Sequence, residues 1–274
     1  MCAVGSDPDD LAPVVTIPTT TPAETIAAVV AFFAAAGPLD AVGIGSFGPV
    51  DLRAGSPTWG HITTTPKPGW SGTDVAGPIA AALGVPVAFD TDVGAAAVGE
   101  QRWGASADVA TSCYVTVGTG IGGASIVDGV VQHGRLHAEM GHQRIPHDLS
   151  ADPFPGTCPF HGDCWEGLAS GPALAARWGR PATELAEDHE AWALEARHLA
   201  AGLANLVVVL SPERLVVGGG VMQHASLLTR VRAEMAAQLG GYVPLPPLEQ
   251  YLVAPALGSR SGILGALALA SRVG

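Results

Sequence analysis

Between His142 and Glu166 the chain sets one histidine ahead of Cys158-Pro-Phe-His161-Gly-Asp-Cys164-Trp-Glu166, which gathers two thiols and two imidazoles in a short stretch. Such a set can close a tetrahedral zinc site, because Zn²⁺ takes Cys sulfur and His nitrogen and needs no further ligand when its role is structural. The ordinary alternatives are core cysteines or a disulfide pair. Three ligand-type residues within the seven positions 158–164, on a loop containing Pro and Gly, suit core packing poorly. His142 completes the set only if the chain folds back between 142 and 158, which Gly141, Pro146, Pro153 and Pro155 permit. Closure of that kind would also draw together Glu139 and Glu166, two carboxylates that with an imidazole can orient several hydroxyl groups.

A second chemical candidate is Asp92 in Phe89-Asp-Thr-Asp-Val93. An Asp here can simply cap the helix that follows. At the end of a strand it can also serve as a general base, provided a substrate hydroxyl comes within hydrogen-bond reach. Gly118-Thr119-Gly120-Ile121-Gly122-Gly123 is a third, since glycine lets backbone N–H groups approach a phosphate without a Cβ in the way. It has no terminal Lys of a Walker A loop, and a strand rather than a helix follows it, so neither that motif nor a Rossmann fingerprint fits. A plain glycine-rich hairpin remains the alternative. Gly218-Gly219-Gly220 is either a tight strand-to-helix turn or a place where a nucleotide lies against backbone.

These groups need a framework, and the pattern supplies one. Thr21-Pro-Ala-Glu24 is a capping box with proline in the first turn, and Ile26, Val29, Val30 and Phe33 continue it as a helix until Gly37. Strands are expected at 40–46, 85–89, 112–117, 215–217 and 251–254, with a hairpin turning at Asp128-Gly129. Helices are expected at 93–103, 189–210, 224–239 and 261–270. Residues 52–76, rich in Gly, Pro, Thr and Trp, read as an irregular connection or lid outside the core. Alternating strands and helices imply an α/β fold, divided near residue 105.

With 274 residues, 48% hydrophobic and 14% charged, the chain can bury a substantial core. Its net charge of −12 argues against nucleic acid as a partner. No apolar run of roughly 18 residues and no leader pattern stand out, so no membrane partner and a cytoplasmic enzyme are expected.

Read in order, Gly43-Ile-Gly-Ser-Phe-Gly-Pro-Val-Asp51, Phe89-Asp-Thr-Asp-Val93, Gly118-Thr-Gly-Ile-Gly-Gly123, His137-Ala-Glu-Met-Gly-His142, the segment Cys158 to Pro172, and Gly218-Gly-Gly-Val-Met222 resemble the ROK family of sugar kinases, in particular its bacterial fructokinase branch. The resemblance implies two actin-like, hexokinase-like (ribonuclease H-like) domains with a cleft between them. The first would comprise 1–104 with 259–274, and the second 105–258 with the zinc loop. It further implies that Asp92 is the general base acting on the 6-hydroxyl of fructose. Glu139, His142 and Glu166 would contact sugar, and His142, Cys158, His161 and Cys164 would bind Zn²⁺. Gly118, Thr119 and Gly120 would line a phosphate loop, with Pro172 and Gly218 to Gly220 at the adenosine end of ATP. Mg²⁺ would accompany the nucleotide, and a homodimer is common in the family.

Two departures from the family pattern are visible. Gly94 stands where many members carry an asparagine that touches sugar. The family's opening strand and Gly-Gly-Thr-Lys phosphate loop have no counterpart here, as Met1-Cys-Ala-Val-Gly5 resembles the strand after them. Alternatives are therefore a kinase for mannose, glucose or N-acetylmannosamine, or a silent sugar-binding paralogue.

Overall fold

The computed structural model describes residues 1–274. In chain order its first elements are α1 (Pro22–Ala35), β1 (Val42–Ser46), α2 (Ala76–Leu83), β2 (Val87–Thr91), α3 (Asp92–Trp103), β3 (Thr111–Val117), β4 (Ile121–Val127) and β5 (Val130–Val131). There follow α4 (Trp165–Ala169), α5 (Gly171–Trp178), α6 (Ala191–Leu210), β6 (Arg214–Gly218), α7 (Leu227–Leu239), α8 (Leu248–Tyr251), β7 (Leu252–Val253) and α9 (Ser261–Ala270). The chain divides into two compact units, one made of 1–108, 126–138 and 256–274, the other of 109–125 and 139–255.

In the first unit α1 begins where its sequence dictates. The Thr21 hydroxyl accepts the Glu24 N–H, and the Glu24 carboxylate accepts the Thr21 N–H in return. β1 and β2 pair in parallel, Val42 opposite Val87 and Ser46 opposite Thr91. Their apolar side chains pack with Val50, Ile62, Trp70 and Ile79, beneath Ile26, Val29 and Phe33 of α1. The stretch 52–76 departs from expectation here. Though irregular, it is part of this core rather than a lid, with Ile62 fully buried and the Trp70 indole donating to Thr20 O at 2.9 Å. Its few apolar residues, scattered among turn formers, give no periodic pattern to read.

α9 lies directly on α3. A Cβ at Gly265 would come within 1.7 Å of Ala95 O, so only glycine permits that approach. The contact is locked by Glu100, a fully buried carboxylate. Its Oε2 accepts N–H groups from Ala105 (2.7 Å) and Ala256 (3.0 Å), and its Oε1 accepts Leu257 N–H (3.0 Å) and the Ser261 hydroxyl (2.7 Å). Every lone-pair direction of the charge is thereby occupied.

The larger sheet has strand order β5-β4-β3-β6-β7. β3 and β6 are parallel, Thr116 facing Gly218, and β6 is parallel to β7. β4 and β5 form the hairpin, turning through Asp128 and Gly129, both at positive φ. In the second unit, Val115, Val117, Leu215 and Val217 of the sheet bury against Trp165, Leu199 and Leu203. Contrary to the sequence expectation, one helix is long and apolar enough to cross a membrane. That is α6, with 20 residues and a mean hydropathy of 1.4. Its Leu199, Ala200 and Leu203 are core residues of the second unit, and its run was overlooked because Glu195, Arg197 and His198 interrupt it.

Candidate active site and metal centre

Local geometry closes the metal set. Met140–His142 form a tight helical turn in which His142 N–H donates to Glu139 O at 3.0 Å, and Cys164 stands at the start of α4. Between them Cys158 and Gly162 exchange backbone hydrogen bonds of 3.2 and 2.9 Å, a knuckle that returns His161 to the Cys158 side chain. Cys158 Sγ is 3.6 Å from His142 Nδ1 and 3.6 Å from His161 Nδ1, and Cys164 Sγ is 3.7 Å from His142 Nδ1. All four ligand atoms lie within 4.8 Å of one another. Around a tetrahedral zinc with Zn–S of about 2.3 Å and Zn–N of about 2.0–2.1 Å, sulfur and nitrogen stand about 3.6 Å apart. The donor set therefore fits Zn²⁺ in both chemistry and spacing. The two cysteines form no disulfide. Burial first, then the neighbouring Cys158 thiol and Glu166 carboxylate, push the Cys164 thiol up to about 11. A divalent cation at the centre would reverse that preference by binding thiolate.

Glu166 ties the metal loop to the glycine-rich turn. Its Oε2 accepts the Ile121 N–H at 2.9 Å. A Cβ at Gly120 would lie 2.5 Å from the same oxygen, so a side chain there would expel it. The turn itself is held by Gly118 N–H donating to Gly120 O at 2.8 Å, while Gly171 N–H donates to Gly118 O at 2.8 Å. Pro172 follows in the first turn of α5, capped by the Ser170 hydroxyl. Gly218 closes β6 beside β3, and Gly219 follows at φ +98°. Gly118 to Gly120, Pro172 and Gly218 to Gly220 are thus assembled where two parallel strands end and a helix begins. Backbone N–H groups and a helix N-terminus there favour an anion.

Asp92 occupies the first residue of α3, in the other unit. The cap of this helix is Thr91, whose hydroxyl accepts Gly94 N–H at 2.8 Å, so the capping role open to Asp92 from sequence belongs to its neighbour. Asp92 Oδ1 accepts the adjacent Val93 N–H, at 2.8 Å. Its residue keeps an exposed edge, yet the surrounding protein desolvates the carboxylate and raises its pKa. Backbone donors and the His137 imidazole offset part of that rise. His137 Nε2 in turn accepts Val50 N–H at 3.2 Å. Gly94 has a local reason to be glycine, because a Cβ there would lie 2.0 Å from Asp90 Oδ1.

The sequence reading overlooked the polar group behind the metal loop. Asp163, next to Cys164, pairs with Arg144 and accepts from His147 Nδ1 at 3.2 Å. The other His147 nitrogen is 3.3 Å from Asp152, which also pairs with Arg177. His147 is almost fully buried. The signal was the density of acidic and histidine residues between 142 and 163, which a ligand search restricted to Cys and His passes over.

The sequence matches the ROK family over residues 2–273. The chain belongs to the ROK family. Among curated ROK relatives, a fructokinase of Zymomonas mobilis is 47% identical over 262 residues, covering 93% of this chain and 87% of its own. A fructokinase of Pediococcus pentosaceus is 41% identical over 270 residues, covering 98% of this chain and 93% of its own. In structure, a ROK glucokinase from Streptomyces griseus in complex with glucose and AMPPNP superposes with a TM-score of 0.76 at 28% identity, covering 98% of this chain and 96% of its own. The fold is accordingly the actin-like sugar-kinase fold that the motifs implied.

Proposed function

We propose that this ROK protein phosphorylates fructose at its 6-hydroxyl with ATP, as a cytoplasmic enzyme. The observation that supports this most directly is the bond from Ile121 N–H to Glu166, which fixes the metal loop and the glycine turn to each other. Two relatives at 41% and 47% identity named fructokinase give the substrate its identity. Asp92 takes the proton of the 6-hydroxyl as that oxygen attacks the γ-phosphorus. The bond from that phosphorus to the bridging oxygen breaks, and ADP leaves. A carboxylate with a raised pKa suits this task, since a better proton acceptor is also a better general base. Glu139, His142 and Glu166 orient the sugar hydroxyls, and the Gly118–Gly120 turn receives phosphate oxygens. His142, Cys158, His161 and Cys164 would hold Zn²⁺, whose contribution would be to fix the loop. Bound with ATP, Mg²⁺ would supply positive charge against that developing on the phosphoryl oxygens.

The experiment is a coupled assay with Mg-ATP and a panel of hexoses, the product identified by ³¹P NMR. Fructose should give the highest kcat/KM, and Asp92→Asn should abolish turnover while leaving sugar binding by calorimetry intact. Sugar heat with no phosphorylated product would refute the reading in favour of a silent binding protein. A second reading, a kinase for another hexose, draws on the glucose-bound relative and is decided by the same panel.

A further inference from the structure

Behind the metal loop a line of charged side chains runs from one helix to the next, all of it within the second unit. Asp163 stands immediately before Cys164, where α4 begins. One of its carboxylate oxygens is 3.2 Å from His147 Nδ1, and Arg144 pairs with the other. The Nε2 of the same imidazole lies 3.3 Å from Asp152 Oδ2. Asp152 Oδ1 accepts from Arg177, in the last turn of α5, whose guanidinium also lies over the Phe154 ring at 4.2 Å from its centre. The His147 side chain is 3% exposed and that of Arg177 9%, so solvent does little to screen the line between them.

α4 and α5 meet at Ser170, and each sends one hydrogen bond to the glycine turn. Glu166 of α4 accepts Ile121 N–H, and Gly171 N–H at the start of α5 donates to Gly118 O. The two arms of this elbow are not held alike. His142, Cys158, His161 and Cys164 gather at the start of α4 and fix that arm. In α5, Ala173 and Leu174 pack in the core, but apolar contact is non-directional and sets the slide and rotation of a helix only weakly. A charge-assisted pair has a defined geometry and sets both. That pair is Arg177 with Asp152, and His147 ties it back to the metal loop.

We infer that His147 is a positioning residue for nucleotide binding: by bridging Asp163 and Asp152 it sets α5 against the metal loop, and so sets the place of the Gly118–Gly120 turn. The inference rests on the kinase reading, in which that turn receives phosphate oxygens and Pro172 lies at the adenosine end. His147 acts through Asp152, Arg177 and Gly171. Since the metal set fixes the start of α4 independently, breaking the bridge weakens the nucleotide end and spares the sugar. Asparagine at this position keeps an N–H near the place of Nδ1 and stops short of Asp152, so it holds one end of the bridge and releases the other.

The test uses the full zinc-loaded chain and the non-hydrolysable nucleotide AMPPNP. His147→Asn should weaken AMPPNP binding, read by calorimetry, about tenfold, while fructose affinity stays within about twofold and zinc content is unchanged. Amide hydrogen exchange with no ligand present reads the displacement directly: Gly171 should exchange about tenfold faster, and Ile121, whose acceptor belongs to the metal side, should keep its rate. Asp152→Asn removes the charge that both His147 and Arg177 face and should repeat both results, which decides the matter if His147→Asn fails to fold. Arg144→Ala takes an exposed partner from Asp163 but leaves the path to α5 whole, and should change neither measurement. A parent that binds AMPPNP and a folded variant that binds it equally well, or whose Gly171 exchange is unchanged, overturns the role of His147 and leaves the kinase reading standing. Equal losses for AMPPNP and fructose also overturn it, because a merely structural residue weakens both sites alike. A parent that binds no AMPPNP refutes the kinase reading itself, and the nucleotide role of His147 with it.

Discussion

Replacing Glu100 by Gln is the sharpest probe of how the first unit holds α3, the helix that begins at Asp92. The native carboxylate accepts four donors, two on each oxygen. A glutamine keeps the shape and one oxygen, so two donors stay satisfied while the other two meet an NH₂ group that can only donate. Each lost bond to a charged acceptor is worth about 1.5–3 kcal/mol, giving about 3–5 kcal/mol in total once the partial exposure of Ala256 and Leu257 is allowed for. For a chain of this size that corresponds to a fall in Tm on the order of 10 °C, measured by circular dichroism. Ser261→Ala removes one donor and leaves the charge in place, and should cost only about 1 kcal/mol. A Glu100→Gln protein that melts within 2 °C of the parent would refute the claim that this carboxylate is the clamp between α3 and the segment 256–261.

Three other outcomes follow from the geometry. Cys164→Ser should reduce bound zinc, read by atomic emission, from about one per chain to near none, and chelator treatment of the parent should lower its Tm in the same manner. Gly120→Ala drives a methyl group to within 2.5 Å of Glu166 Oε2 and should cut kcat/KM roughly 10–100-fold with zinc content unchanged, so metal loss in this variant would break the argument. Burial, then the charge of Arg177, lowers the His198 pKa from 6.5 to about 4. The unfolded chain thus binds the extra proton between those values, and stability that is full above pH 6.5 is lost as pH falls toward 4, by up to about 3 kcal/mol. His198→Gln should flatten that part of the urea-midpoint profile, and an unchanged slope would place the titration elsewhere.

What the sequence discloses depends on how local each cause is. The Thr21 capping box, the Cys158–Cys164 spacing and the glycine turn at 118–120 are written in adjacent residues; the structure folds the capping box as read and brings the His142, Cys158, His161 and Cys164 ligand atoms within 4.8 Å of one another. Asp92 shows the limit of that kind of reading. Thr and Asp both cap helices, and only the folded chain reveals that the Thr91 hydroxyl takes the Gly94 N–H, which leaves the capping role to Thr91 rather than to the Asp92 carboxylate. The remaining features depend on residues far apart in the chain. Glu100 meets donors 156 to 161 positions away, so nothing near it in sequence marks it as anything but a helix-surface acid. Ile62 and Trp70 enter the core from a stretch with no period, because their burial is fixed by β1 and α1 rather than by a strand or helix of their own. The cavity beside β1 is the extreme case, since its walls come from segments as distant as Met1 and Ala270. Motifs of adjacent residues are therefore legible from spacing, whereas features assembled from distant segments become visible only when the strands and helices that frame them are in place.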